Sequence, residues 1–163
     1  MNADYYACYF DGACEPINPG GDIGIGAFIL NPKREYILKV SKYIPALDLN
    51  LRTSNNVAEY LALLEIFNFF IKNNLQKERI YCGGDSKLVI NQMEGKWKCN
   101  SGHYETYYNR AIKLLPQFTN IHFYWIPREK NKIADDLSKK AMIENGVEFR
   151  IQPQEQNTQQ NCQ

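Results

Sequence analysis

Histidine is nearly missing from this chain: 163 residues carry only His103 and His122. Cysteine is little better represented, with five residues, an odd count and no Cys-x-x-Cys pair. So few nitrogen and sulfur ligands argue against a zinc site. Cys8 and Cys82 lie in apolar runs and read as small buried hydrophobes of a reduced protein. No run approaches the ~20 apolar residues needed to cross a bilayer. The opening Met1-Asn2-Ala3-Asp4 shows no basic segment followed by an apolar stretch, so no secretory signal is visible. The expectation is a cytoplasmic protein with no membrane partner, taken as a monomer. Charge of one sign is absent as well: 19 Lys and Arg stand against 18 Asp and Glu, a formal net charge of +1. That excludes a globally basic nucleic-acid binder but leaves room for a local basic strip. No internal repeat is present.

What is there suffices for one domain, with 44% apolar residues available for a core. Tyr5 to Phe10 reads as a strand ended by Asp11-Gly12, and a Pro/Gly-rich turn leads to a second strand from Ile23 to Leu30. Asn31-Pro32-Lys33 signals a turn before a third strand from Tyr36 to Tyr43. The period then changes: dense apolar residues from Asn55 to Asn73 predict a largely buried helix, with Ser54 as its N-cap. A strand from Arg79 to Gly84 follows, then a helix capped by Ser86 and running through Met93. A second helix is expected over His103 to Leu115, a fifth strand over Asn120 to Ile126, and a last helix from an Asn131 cap to about Asn145. The order βββ-α-β-αα-β-α predicts an α/β fold with a five-stranded mixed sheet flanked by helices. The domain is placed at residues 1–146; the Gln/Asn-rich stretch 147–163 reads as a disordered tail.

Four acids lie in short, pointed phrases. Asp11 sits in Phe10-Asp11-Gly12-Ala13, and Glu59 in Asn55-Asn56-Val57-Ala58-Glu59. Asp85 sits in Gly83-Gly84-Asp85-Ser86, and Asp135 in Asn131-Lys132-Ile133-Ala134-Asp135. Each alone has a plain explanation: a turn pair, a helix-dipole partner, a strand-to-helix cap, a solvated helix residue. Together, near the carboxyl ends of parallel strands and the starts of helices, they are placed to converge where such sheets hold ligands. A carboxylate cluster cannot stay ionised without cations, and hard divalent ions, Mg²⁺ above all, suit oxygen ligands. Two such ions a few ångströms apart hydrolyse phosphodiesters.

With these phrases in order, from about Tyr5 to Ile143, the chain resembles the type 1 ribonuclease H family, which cuts the RNA strand of RNA–DNA hybrids. Trp125-Ile126-Pro127-Arg128-Glu129 followed by Asn131, Ala134, Asp135 and Leu137 completes the likeness. The resemblance implies a ribonuclease H-like fold and two Mg²⁺ ions, with Mn²⁺ a possible substitute. In that scheme Asp11 bridges both metals, Glu59 and Asp85 share the first site and Asp135 holds the second. Products carry 5′-phosphate and 3′-hydroxyl ends. It further implies that Gly12, Cys14, Asn18, Asn55, Asn56 and Glu59 sense the RNA strand through its 2′-hydroxyl. Asn55 and Asn56 also suit a helix start. Lys96-Trp97-Lys98 offers a flat aromatic between two ammonium groups for the DNA strand, although an amphipathic surface patch would look the same. Ser86, Lys87, Arg128 and Asn131 complete the expected substrate contacts, with Lys130, Lys132 and Lys139 as further cations.

Two departures stand out. The segment from Asp85 to Trp125 is too short for the basic helical handle of bacterial members, and Arg128 occupies the loop where many members place a histidine. These bear on rate and pH optimum rather than on the reaction. The alternatives are a catalytically weak or inactive nucleic-acid-binding module of the same fold, which generally lacks one or more of the acids, and a resolvase- or transposase-type DNA nuclease.

Overall fold

The computed structural model describes residues 4–150. Five strands and four α-helices follow the expected order. They are β1 (Tyr6–Glu15), β2 (Asp22–Leu30), β3 (Tyr36–Ile44), α1 (Asn55–Lys72), β4 (Ile80–Gly84), α2 (Lys87–Met93), α3 (Glu105–Leu114), β5 (Ile121–Trp125) and α4 (Lys132–Glu144). The sheet order is β3-β2-β1-β4-β5, with β1–β2 and β2–β3 antiparallel and β1–β4 and β4–β5 parallel. The mixed five-stranded sheet is as expected.

Alternation along β1 divides the sheet into two faces. Cys8, Phe10 and Cys14 are fully buried beneath α1, whose Val57, Leu63, Ile66, Phe67 and Phe70 are likewise fully buried. Burying this many branched and aromatic side chains is the main force holding helix to sheet. Tyr60, also fully buried, stacks on Tyr104 at the start of α3 at 5.9 Å and so draws α3 against α1. The opposite face carries α4, which packs on β1, β2 and β3. Close approach there depends on Gly24 and Gly26: a Cβ at either would run into the α4 backbone at Ser138 or Ala134. Ser41 of β3 fastens the pair, its hydroxyl donating to Leu137 O at 2.6 Å.

The caps at Ser54 and Ser86 form as expected, each hydroxyl accepting from the backbone N–H three residues on, at 3.2 Å. Two expectations need correcting. Asp11-Gly12 does not end the first strand; β1 pairs with β2 as far as Glu15↔Asp22, and only its parallel pairing with β4 stops, at Phe10↔Gly84. Asn131 precedes α4 but makes no side-chain cap, because its amide is turned inward to the sheet. Of the stretch expected to be a tail, residues 147–150 are described. Val147 N donates to Met142 O at 3.1 Å, and Arg150 pairs with Glu15 at 3.1 Å and donates to Cys14 O at 3.1 Å. Residues 151–163, with Cys162, lie outside the described residues. No described helix is long and apolar enough to cross a membrane.

Candidate active site

Asp11 and Asp85 each follow the last residue of the parallel pairing, Phe10↔Gly84, so the register sets them side by side at its carboxyl end. Glu59 reaches them from α1. It lies past the first turn of that helix rather than within it, and its approach depends on Gly12. A Cβ at Gly12 would collide with the backbone of Ala58 and Glu59. Helix and strand therefore meet at the one residue without a side chain. One carboxylate oxygen from each of Asp11, Glu59 and Asp85 falls within 4.8 Å of the others.

This trio is electrostatically unsatisfied. Asp11 and Glu59 are only 6% and 7% exposed. Burial, followed by the charges of Asp85 and Asp135, pushes the Asp11 carboxyl up to about 8. Burial and then the charges of Asp11 and Asp85 hold Glu59 well above its ordinary range. Asp85 is raised chiefly by burial, against the Asn131 amide and Arg128, which pull it down. Glu59 Oε2 is buried without a hydrogen-bond partner. Buried carboxyl oxygens left in this state fit a hard divalent cation that can take the place of their protons, so the donor set suits Mg²⁺ or Mn²⁺. Among the described residues, these three form the only cluster of three or more acids, histidines or cysteines close enough to hold an ion.

Asp135 stands apart. It adjoins Asp11, but Lys139 reaches its Oδ2 at 3.0 Å and Arg128 lies 3.9 Å from its Oδ1. This fourth acid is already neutralised by cations of the protein.

The supporting residues show what the sequence reading missed. Asn131 is 2% exposed and braces the site from below: its Nδ2 donates to Phe10 O at 2.9 Å and to Asp85 Oδ2 at 3.3 Å. Asn131, expected among the substrate contacts, forms this brace with its Nδ2, while its Oδ1 is buried without a hydrogen-bond partner. Trp125, noted in the sequence only as part of the family phrase and given no role there, donates from Nε1 to Asp85 O at 3.1 Å, with Lys87 Nζ 4.9 Å from its ring centre. Its place as the partner of Gly84 in the β4–β5 register was the available signal. Ser86 spends its hydroxyl on the α2 cap.

The residues expected to sense RNA form a linked set. Asn55 Oδ1 accepts from Cys14 N at 2.9 Å, and Asn18 Oδ1 accepts from Asn55 N at 3.0 Å. Cys14 itself is fully buried, its thiol turned toward Ile17 O, so it offers backbone alone. Asn56 stands half-buried beside them. Further along, Lys96, Trp97 and Lys98 are exposed. Their loop is tied down by Gln92, 1% exposed, whose Nε2 donates to Lys98 O at 3.1 Å and whose Oε1 accepts from the Tyr60 hydroxyl.

Sheet order, helix placement and the acid cluster together define a ribonuclease H-like domain of the type 1 kind. The family described as reverse transcriptase-like matches residues 10–141, and the chain belongs to it. Among relatives, the bifunctional protein Rv2228c of Mycobacterium tuberculosis is 34% identical over 125 residues, covering 77% of this chain and 32% of that protein. Its N-terminal ribonuclease H domain, solved as a fusion with maltose-binding protein, superposes with a TM-score of 0.73 at 30% identity over 85% of this chain and 98% of that one. Ribonuclease H1 of Halobacterium salinarum gives 0.72 at 27% identity over 86% and 98%. A compost-metagenome enzyme, LC11-RNase H1, solved in complex with an RNA/DNA hybrid, gives 0.73 at 29% identity over 86% and 98%. The chain spans about a third of the mycobacterial protein and 62% of the halobacterial ribonuclease HI to which it is also similar.

Proposed function

We propose that this chain is an endonuclease that hydrolyses the RNA strand of RNA–DNA hybrids with two divalent cations, leaving 5′-phosphate and 3′-hydroxyl ends. The observation that carries the reading is the trio of buried Asp11 and Glu59 with half-buried Asp85, which lacks the positive charge its geometry calls for. Similarity to domains named ribonuclease H, one of them bound to an RNA/DNA hybrid, supplies the substrate class. Asp11, Glu59 and Asp85 would hold one ion, while Asp11 and Asp135 would flank the other. Bound there, the ions supply an acidified water and offset charge on the departing oxygen.

The protein's own groups do the remaining work. Asn131 and Trp125 fix Asp85 from its side chain and its backbone, so the trio keeps its spacing as charge changes. Asn55, Asn56 and the backbone of Gly12 and Cys14 present small polar groups at the α1 start, suited to a 2′-hydroxyl. Lys96, Trp97 and Lys98 offer stacking and charge to the DNA strand. Arg128 and Lys139 place positive charge beside Asp135, where a second ion would have to compete with them.

The test is cleavage of RNA–DNA hybrid, duplex DNA and duplex RNA with Mg²⁺ or Mn²⁺, beside Asp11→Asn. Hybrid cleavage that vanishes in the variant is expected. Cleavage of duplex DNA alone, or hybrid cleavage that survives Asp11→Asn, overturns the reading.

A further inference from the structure

The sheet face that carries α4 is only partly covered. Register lines up one row across it as Tyr36, Leu30, Ala7, Tyr81 and His122, and a second as Lys39, Phe28, Tyr9, Gly83 and Tyr124. α4 covers the end of this face near Gly24 and Gly26. Toward the other end Tyr36 and His122 are exposed and Tyr81 is half-buried.

The rings form two connected runs. Tyr5 meets Tyr81 edge-on at 4.8 Å, and Tyr81 stacks on His122 at 4.9 Å. Tyr9 stacks on Phe28 at 5.1 Å, and Phe28 meets Tyr36 at 5.6 Å. The Tyr124 hydroxyl donates to that of Tyr9 at 2.6 Å and extends the second run across β4. Gly83 leaves room for this, since a Cβ there would press on both tyrosine rings.

Cations lie over these rings. Arg34 sits 4.7 Å from the Tyr5 ring centre, Lys39 4.1 Å from Tyr36, and Arg79 5.3 Å from Tyr81. A guanidinium stacked on a ring keeps its outer plane and remaining N–H groups for other partners. Beside Tyr36 lies a hollow of about 550 Å³ between the sheet, the connection 126–131 and the start of α4. Nine residues line it, among them Tyr9, Phe28, Lys130 and Lys132, and none is acidic. Lys132 is partly engaged by Asp136 at 3.0 Å.

We propose that this face binds a single strand of nucleic acid, distinct from the cleft where Asp11, Glu59 and Asp85 meet. The face selects a ligand that is anionic and carries flat apolar groups. An unpaired strand offers both, whereas a duplex hides its bases in its own stack. An acidic peptide satisfies the charge but not the rings.

The experiment is fluorescence anisotropy in EDTA with labelled oligothymidylate and oligouridylate of about 12 nucleotides, within the site sizes such platforms hold. Wild-type protein is compared with Arg34→Ala/Arg79→Ala, with Tyr36→Ala, and with Arg110→Ala/Lys113→Ala on α3, away from both surfaces. All five side chains are exposed, so the fold is expected to tolerate each change, and circular dichroism checks it. Binding is expected to weaken about tenfold in the first two variants, as for loss of a stacking or phosphate contact, and to stay within about twofold in the third. Absent binding, loss confined to the third variant, or equal binding of polyglutamate overturns the proposal. The readout needs neither metal nor cleavage, so its failure is separable from failure of the hydrolase reading.

Discussion

The two ends of the acid site are built to opposite rules. At Asp11, Glu59 and Asp85, two buried carboxylates and one half-buried one converge, and Glu59 Oε2 has no hydrogen-bond partner. At Asp135, one residue from the same cleft, Lys139 and Arg128 already supply positive charge. The first arrangement is unstable as charge and calls for an ion from outside. The second is stable by itself, so an ion must compete with a lysine to use it. Acids of equal standing in the sequence thus play unequal parts: three define an ion's position, and the fourth is held in readiness by the protein's own cations.

The comparison breaks most severely at Asp11. Asp11→Asn is expected to lower hybrid cleavage by at least about a thousandfold, the scale on which a group stabilising the transition state is lost. It is expected at the same time to raise the melting temperature at pH 8 without divalent ions, because it removes a buried charge. Loss of activity with gain in stability is the mark of an electrostatically strained site; a purely structural carboxylate would lose both. Next in size is Gly12→Ala, which sets a methyl group against the α1 backbone. Overpacking of this kind costs about 1–3 kcal/mol, read as a lower denaturation midpoint, with cleavage falling as Glu59 is displaced.

How much of this was legible beforehand follows from where each signal lies. The helix caps at Ser54 and Ser86 and the order of strands and helices along the chain are written in local residues and in the alternation of periods, and they appear as expected. The course of β1 past Asp11-Gly12 is not local: that pair looks like a turn until β2 is seen to pair through Glu15↔Asp22. Asn131 looked like a cap because Asn suits helix starts; only the nearness of Phe10 O and Asp85 turns it inward. Gln92 gave no signal of its own, and Trp125 stood out only within its phrase, since their roles rest on partners 6 and 40 residues away. The family likeness named the four acids, but not that Asp135 would be neutralised while the others are not.

Acidity sharpens the comparison further. Asp11 is raised from its ordinary 3.8 to about 8, so the folded chain binds that proton more tightly than the unfolded chain does. Stability from this group is full below about pH 4 and declines as pH rises toward 8. Thermal melts without divalent ions are expected to show this decline. Added Mg²⁺ is expected to restore stability at pH 8 and to do little at pH 5, where protons occupy the carboxylates.

The smallest effect belongs to the other end. Lys139→Met removes the ammonium that competes for Asp135, and the Mg²⁺ concentration for half-maximal cleavage is expected to fall about two- to fivefold, the scale of a part-exposed ion pair. A rise instead would mean that Lys139 assists the ion rather than displacing it.

Calorimetric titration of Mn²⁺ at pH 7, repeated in two buffers of different ionisation enthalpy, addresses the unsatisfied trio most directly. Because the Asp11 carboxyl, pushed up to about 8, holds a proton that an ion must expel, saturable binding with net proton release is expected, with the release much reduced in Asp11→Asn. Binding without proton release, or binding that Asp11→Asn leaves unchanged, would contradict the account.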